Sequence, residues 1–351
     1  MTHWTNYLAH AGANFGSDPL LPSVRFGTPH ADDNALVHNA VAVPLLHLGL
    51  ICATGEEAGA FLHRLLSNDV SGLAGDAVQW TSFNTAQGRM LANFLLWRDD
   101  NGLYLAASAE LLPSLLKKLS FYILRAKVKF SLPEQERVLI GLAGAKAGEH
   151  LLRAALPVPE ADMRQAVSDD RRTVRLNEEL FILDLPAAEA PAAFDSLRQA
   201  GATAGGTASW QLAAIRAGLP LVTAATQEAF VAQMLNFEII GGVSFTKGCY
   251  PGQEIIARTQ HLGKPKRRMF RIGLLSPAPV AGIPAGTALY SPSLEPGDGQ
   301  TVGTIVNFAP LPEGGEALAV IRTETASTGG EIRIGAPDGP CAQLLGLPYS
   351  K

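Results

Sequence analysis

From about residue 266 to the C-terminus, the sequence breaks into short apolar runs at 267–274, 287–291, 301–308, 317–322, 331–334 and 341–347, divided by glycine and proline turns. Runs this short, evenly spaced and bounded by turn residues, read as strands. A series of them argues for a small barrel. Residues 264–351 are therefore expected to form a C-terminal β-barrel.

Upstream, helical and strand patterns alternate, and the expected class is α+β with antiparallel sheets. Residues 1–38 are rich in Gly, Pro, His and Asn without clean periodicity and read as a loosely ordered arm, with His30 and His38 at its surface. Residues 39–132 read as one α+β subdomain. It starts with a strand-like run from Val41, and Thr54 with Glu57 then forms a capping box. The helix so opened carries Ala58, Phe61, Leu62, Leu65 and Leu66 on one face. Val78–Thr85 and Arg89–Trp97 form strands joined by A-Q-G, Leu103–Ala107 a third, and Leu111–Leu124 a second helix. Residues 133–263 read as a second α+β subdomain. Arg137–Gly144 is its buried strand and Lys146–Ala155 its first helix. Arg172–Leu176 and Leu180–Leu185 form a hairpin, Ala187–Ala200 a helix, and Gly201–Thr207 a flexible link.

The chain's 351 residues are 47% hydrophobic and 17% charged, which describes a compact fold with a large core. A net charge of −4 gives no global pull toward nucleic acid or anionic lipid, so such binding needs a local patch. Three scattered cysteines make neither a disulfide framework nor a zinc cluster, and no metal site is expected. No signal-peptide pattern and no membrane-spanning apolar run occur, which fits a reducing, cytoplasmic setting. G-x-G-x-x-G, the P-loop, H-E-x-x-H and C-x-x-C are all absent.

The chemistry concentrates at Lys247-Gly248-Cys249-Tyr250-Pro251-Gly252-Gln253-Glu254. Pro251 presets φ for a first helical turn. Glu254 falls in that turn, where the helix dipole favours negative charge. Ile255, Ile256, Thr259 and Leu262 make an apolar stripe, and Gly263-Lys264-Pro265 ends the helix. Cys249 stands beside Lys247 and ahead of a helix N-terminus, both of which favour a thiolate. A packed turn cysteine remains the alternative. Downstream, no acidic residue follows Glu254 until Glu295, while Arg258, Lys264, Lys266, Arg267, Arg268 and Arg271 make a basic run. Such a run suits solvent, an anionic ligand tail or nucleic acid.

K-G-C-Y-P-G-Q-E resembles the signature of the folate-binding YgfZ family, relatives of the glycine-cleavage T-protein, and the likeness extends over about residues 40–351. The resemblance implies T-protein-like folate-binding domains, tetrahydrofolate or a one-carbon derivative as cofactor, and support of iron–sulfur cluster assembly or repair. It further implies client iron–sulfur proteins such as a tRNA methylthiolase, with direct nucleic-acid contact left open but not favoured. On the same grounds Cys249, Lys247 and Glu254 are candidates for the chemistry. Trp210, beside the A-G-L-P element at 217–220, and Leu48 are candidate pocket walls, a core tryptophan being the other reading of Trp210. Asn84, Arg89, Asn93, Gln233 and Asn236 are further candidate folate contacts, as are Tyr250, Gln253 and Arg258. Leu347-Pro348-Tyr349 resembles the close of the T-protein barrel. The T-protein has an acidic pair where this chain has Ala92-Asn93, and neither of these titrates near neutrality. Aminomethyl transfer or a folate-dependent demethylation would then need another acid, such as Glu254 or Asp69.

Overall fold

A computed structural model describes residues 3–18, 22–27, 33–263, 265–274, 276, 280, 282–292 and 301–349. His30, Lys264 and Glu295, and the side chain of Leu262, lie outside the described residues. The chain groups into two compact units that interleave in sequence, where four consecutive parts were expected. One comprises residues 1–63, 70–79 and 94–213, the other 64–69, 80–93 and 214–351.

In the first unit, the expected arm contains structure. His3–His10 is a helix, Ala13–Phe15 pairs with Val24–Phe26, and Asp33–His38 is a short helix. The physical reason is tertiary: Trp4 and Leu8 lie one turn apart and are both buried, Trp4 meets the edge of Phe194 at 5.9 Å, and Tyr7 donates to Asp195 at 2.7 Å. A six-stranded sheet follows in the order Arg164–Ser168, Arg171–Asn177, Leu180–Pro186, Arg137–Ala143, Val41–Pro44, Thr203–Ala204. The expected hairpin forms its second and third strands, with Val174 opposite Ile182. Instead of a loose link, Thr203–Ala204 adds a parallel edge to Val41–Ala42. Helices Ala147–Arg153 and Ala190–Gln199 bury Leu151, Phe194 and Leu197 in the unit's core.

A second sheet of this unit joins the end of Met90–Arg98 to Leu103–Ser108, Leu48–Thr54 and Lys129–Ser131. The apolar run from Val41 is thus two strands, broken at Leu45–His47, where Leu48 N–H turns back to Leu45 O at 3.0 Å. His47 is buried there, and desolvation pushes its pKa down to about 4. The expected capping box does not form. Glu57 instead accepts from Lys127 N–H at 2.6 Å, and Thr54 closes the strand while the helix begins at Ala58. Neighbouring strands of the six-stranded sheet share an ion network in which Asp184 holds Arg137 at 2.5 Å and Arg172 at 2.8 Å, and Arg172 reaches Asp99 at 2.7 Å.

In the second unit, the barrel closes in the order Arg267–Leu274, Gly314–Arg322, Thr301–Leu311, Ala288–Tyr290, Ile332–Ile334, Cys341–Leu345. Alternate residues Ala317, Ala319 and Ile321 point inward with Ile272, Leu289, Val302 and Ile305, the small side chains fitting a narrow lumen. Among the described residues no helix is long and apolar enough to cross a membrane, and no cluster of three metal-ligating side chains occurs.

Candidate functional site

The signature loop belongs to the second unit and is fixed from beneath by a lysine. Lys247 is 9% exposed, and its ammonium donates to Leu66 O at 2.6 Å and Asn68 O at 3.1 Å. It also lies 5.0 Å over the Tyr250 ring. Desolvation lowers its pKa to about 8, against a smaller opposing pull from Asp69. Two carbonyls and an aromatic face are what a buried ammonium needs to stay bound. The segment 64–69 that supplies them is itself anchored. Ser67 donates to Gly242 O at 2.7 Å and accepts from Ser82 N–H at 2.8 Å, while Asn68 donates to Trp80 O and Gly241 O. In sequence Lys247 stands two residues from the thiol, and its anchoring duty has no sequence signal because its partners are backbone carbonyls.

On the other side the loop presses backbone to backbone on the A-Q-G hairpin. Gly252 has φ +80°, and a Cβ there would lie 2.5 Å from Gly88 Cα and 2.6 Å from Thr85 O. Only glycine satisfies both the left-handed φ and the contact. The helix then runs Gln253–Leu262 with Gly252 as its N-cap, so Pro251 precedes the helix rather than opening it. Cys249, three residues before the cap, is exposed on a loop held at both ends. Tyr250 is buried, which raises its pKa to about 12. Glu254 is exposed and pairs with Arg258 at 3.3 Å, one turn on, a surface contact of little weight.

Most other expected folate contacts also fall in this unit, in varied employment. Asn93 is 2% exposed. It donates to Pro220 O and accepts from Val222 N–H, both at 2.8 Å, tying the strand to the A-G-L-P element. Asn236 donates to Met269 O and accepts from Arg268, so its amide is engaged at both ends. Asn84 and Gln233 differ. Both are buried, and among the described residues Asn84 Nδ2 and Gln233 Oε1 have no hydrogen-bond partner. One donor and one acceptor thus remain for a ligand or water. Gln253 opens the helix, half-buried. Arg89 and Arg258 line a cleft of about 630 Å³. Two elements read separately in the sequence meet here: Tyr349 donates to Gly218 O at 2.7 Å, with its ring where a Gly218 side chain would be.

The two expected wall residues belong to the first unit. Trp210 is 4% exposed and packs its six-membered ring against Gly141, in the manner of a core side chain. Leu48 is half-buried at the start of its strand, opposite Ser108.

The architecture is that of a T-protein. The glycine cleavage system aminomethyltransferase T from Bartonella henselae superposes with a TM-score of 0.78, covering 100% of this chain and 98% of its own, at 20% sequence identity. No family model matches the sequence. Among curated proteins, the tRNA-modifying protein YgfZ of Escherichia coli is 29% identical over 306 residues, 86% of this chain and 90% of that one, and several strains give the same figure. The chain is thus a homologue of the YgfZ proteins on a T-protein fold, in agreement with its signature stretch.

Proposed function

We propose that this chain is a folate-binding accessory protein that supports iron–sulfur cluster assembly or repair, and through it the iron–sulfur-dependent modification of tRNA in the cytoplasm. The observation that carries the reading is the presentation of Cys249: an exposed thiol on a loop pinned by Lys247 beneath and by the Gly88–Gly252 contact beside it. A loop so constrained holds one reactive side chain in a fixed attitude toward a partner. A single thiolate cannot retain a cluster alone, which suits a transient contact with a client protein.

Tetrahydrofolate, when bound, supplies ring nitrogens able to accept a one-carbon unit. On this chain, Asn84 Nδ2 and Gln233 Oε1 are the buried polar atoms suited to holding a heteroaromatic edge. The rival reading, a folate-dependent aminomethyl transferase or demethylase, needs a carboxylate beside the acceptor nitrogen. Asn93 is committed to the backbone of residues 220–222, Ala92 is apolar, Glu254 is exposed and paired with Arg258, and the charge of Asp69 is drawn to the buried Lys247 ammonium. The accessory role is therefore preferred. Calorimetric titration with tetrahydrofolate, together with an aminomethyl-transfer assay on a lipoyl carrier, tests both halves. Saturable binding without turnover is expected, and turnover above background would replace the accessory role with the transferase.

A further inference from the structure

Two parts of the sequence far apart bring cations to one cleft of the second unit: Arg89 from the hairpin, and Arg258, Lys266 and Arg267 from the signature helix and the entry to the barrel that follows it. None of the described residues lining it is acidic. The basic run read in the sequence is thereby divided. Arg268 and Arg271 are spent on Glu238 and Glu316, while Lys266, Arg267 and Arg89 form no ion pair among the described residues. Among the described residues Arg258 has only the exposed ion pair with Glu254. Arg267 also stands directly opposite Arg322 on the neighbouring strand, a like-charge register that disfavours pairing unless an anion is near. The floor is apolar, formed by Phe230, Val231, Met234 and Val320.

We infer that this cleft binds the phosphate backbone of single-stranded RNA. A pocket for a small anion converges a few buried polar donors on one point. Here all four cationic residues are exposed, Arg89 with one guanidinium N–H donating to Ala229 O at 2.7 Å, and the apolar floor offers a face to a base rather than donors to a lone anion. An extended polyanion matches both features. The inference deepens the tRNA reading above by naming the surface that meets the nucleic acid, and it does not depend on the chemistry of Cys249.

The test is fluorescence anisotropy of the full chain with a labelled single-stranded RNA of about a dozen nucleotides. Four phosphate contacts predict a slope of log affinity against log salt of about −2.8, so a fourfold rise in salt weakens binding about fifty-fold. Lys266→Gln, Arg267→Gln and Arg258→Gln each reduce the slope by about 0.7. Lys117→Gln, an exposed lysine of the first unit, leaves it unchanged. A slope near zero, or equal loss in the Lys117 control, overturns the inference. So does displacement of the RNA by micromolar pyrophosphate or pentaglutamyl tetrahydrofolate, which would make the cleft a small-anion pocket. If RNA binding fails while Cys249→Ala still abolishes support of an iron–sulfur tRNA enzyme, the cleft assignment falls and the proposed function stands.

Discussion

Replacing Gly252 by alanine tests whether the signature loop is set by backbone contact. The added Cβ would lie 2.5 Å from Gly88 Cα, 2.6 Å from Thr85 O and 2.7 Å from Gly88 N, all backbone atoms that cannot swing aside. Two costs add: about 1–2 kcal/mol for an L side chain in the left-handed region, and about 1–3 kcal/mol for overpacking. The less flexible unfolded chain returns roughly 0.4–1 kcal/mol. The net loss is about 3 kcal/mol, within a range of roughly 1–5. Gly248→Ala is the internal control, four residues earlier in the same loop. Nothing lies within 4 Å of its added Cβ, and a change within about 0.5 kcal/mol is expected. In urea unfolding, with a slope of about 2 kcal/mol/M, Gly252→Ala lowers the midpoint by about 1.5 M at unchanged slope. Equal midpoints for the two variants would refute the backbone-contact account.

Trp210→Ala costs about 3–5 kcal/mol by urea denaturation, because the ring fills a core site, and a loss under 1 kcal/mol would place it outside the core. Lys247→Met strands the carbonyls of Leu66 and Asn68 and costs about 1–3 kcal/mol in the same assay, whereas a neutral result would show that water replaces the ammonium. His47 is neutral in the fold, with its pKa near 4, and takes a proton on unfolding below about 6.5. Its contribution is therefore complete above pH 6.5 and declines toward pH 4 by up to about 3 kcal/mol. A pH series of melts on wild type and His47→Leu should show that slope in wild type alone. Asp184→Ala leaves Arg137 and Arg172 without their shared carboxylate and lowers stability by about 3–5 kcal/mol, measured by chemical denaturation.

The barrel was legible in the sequence because its signals are local. Each strand is a short run between turn residues, and the inward alternation of Ala317, Ala319 and Ile321 repeats with the pleat. The start of the chain was not legible, since Trp4 and Leu8 become helical through burial against Phe194 rather than through any local pattern. Thr54 and Glu57 satisfy the spacing of a capping box, yet Glu57 gains more from the backbone of Lys127, seventy residues on. At the site, the motif announced the loop and its cysteine. The partners of Lys247 were hidden because they are backbone carbonyls 181 and 179 residues away, which carry no side-chain signature. The Gly88–Gly252 contact was visible only as two unrelated glycines, and its cause is the close approach of two turns.

The central claim is that Cys249 is a working thiol rather than a packing residue. Its side chain is exposed, so Cys249→Ala should leave stability within about 0.5 kcal/mol of wild type. The decisive measurement is complementation of a bacterial strain lacking its own YgfZ, scored by the activity of an iron–sulfur tRNA methylthiolase, with Cys249→Ala and wild type expressed to equal level. Wild type is expected to restore full activity and the folded variant to lose it. Full activity with Cys249→Ala would contradict the claim and leave the proposed folate binding as the remaining basis of function.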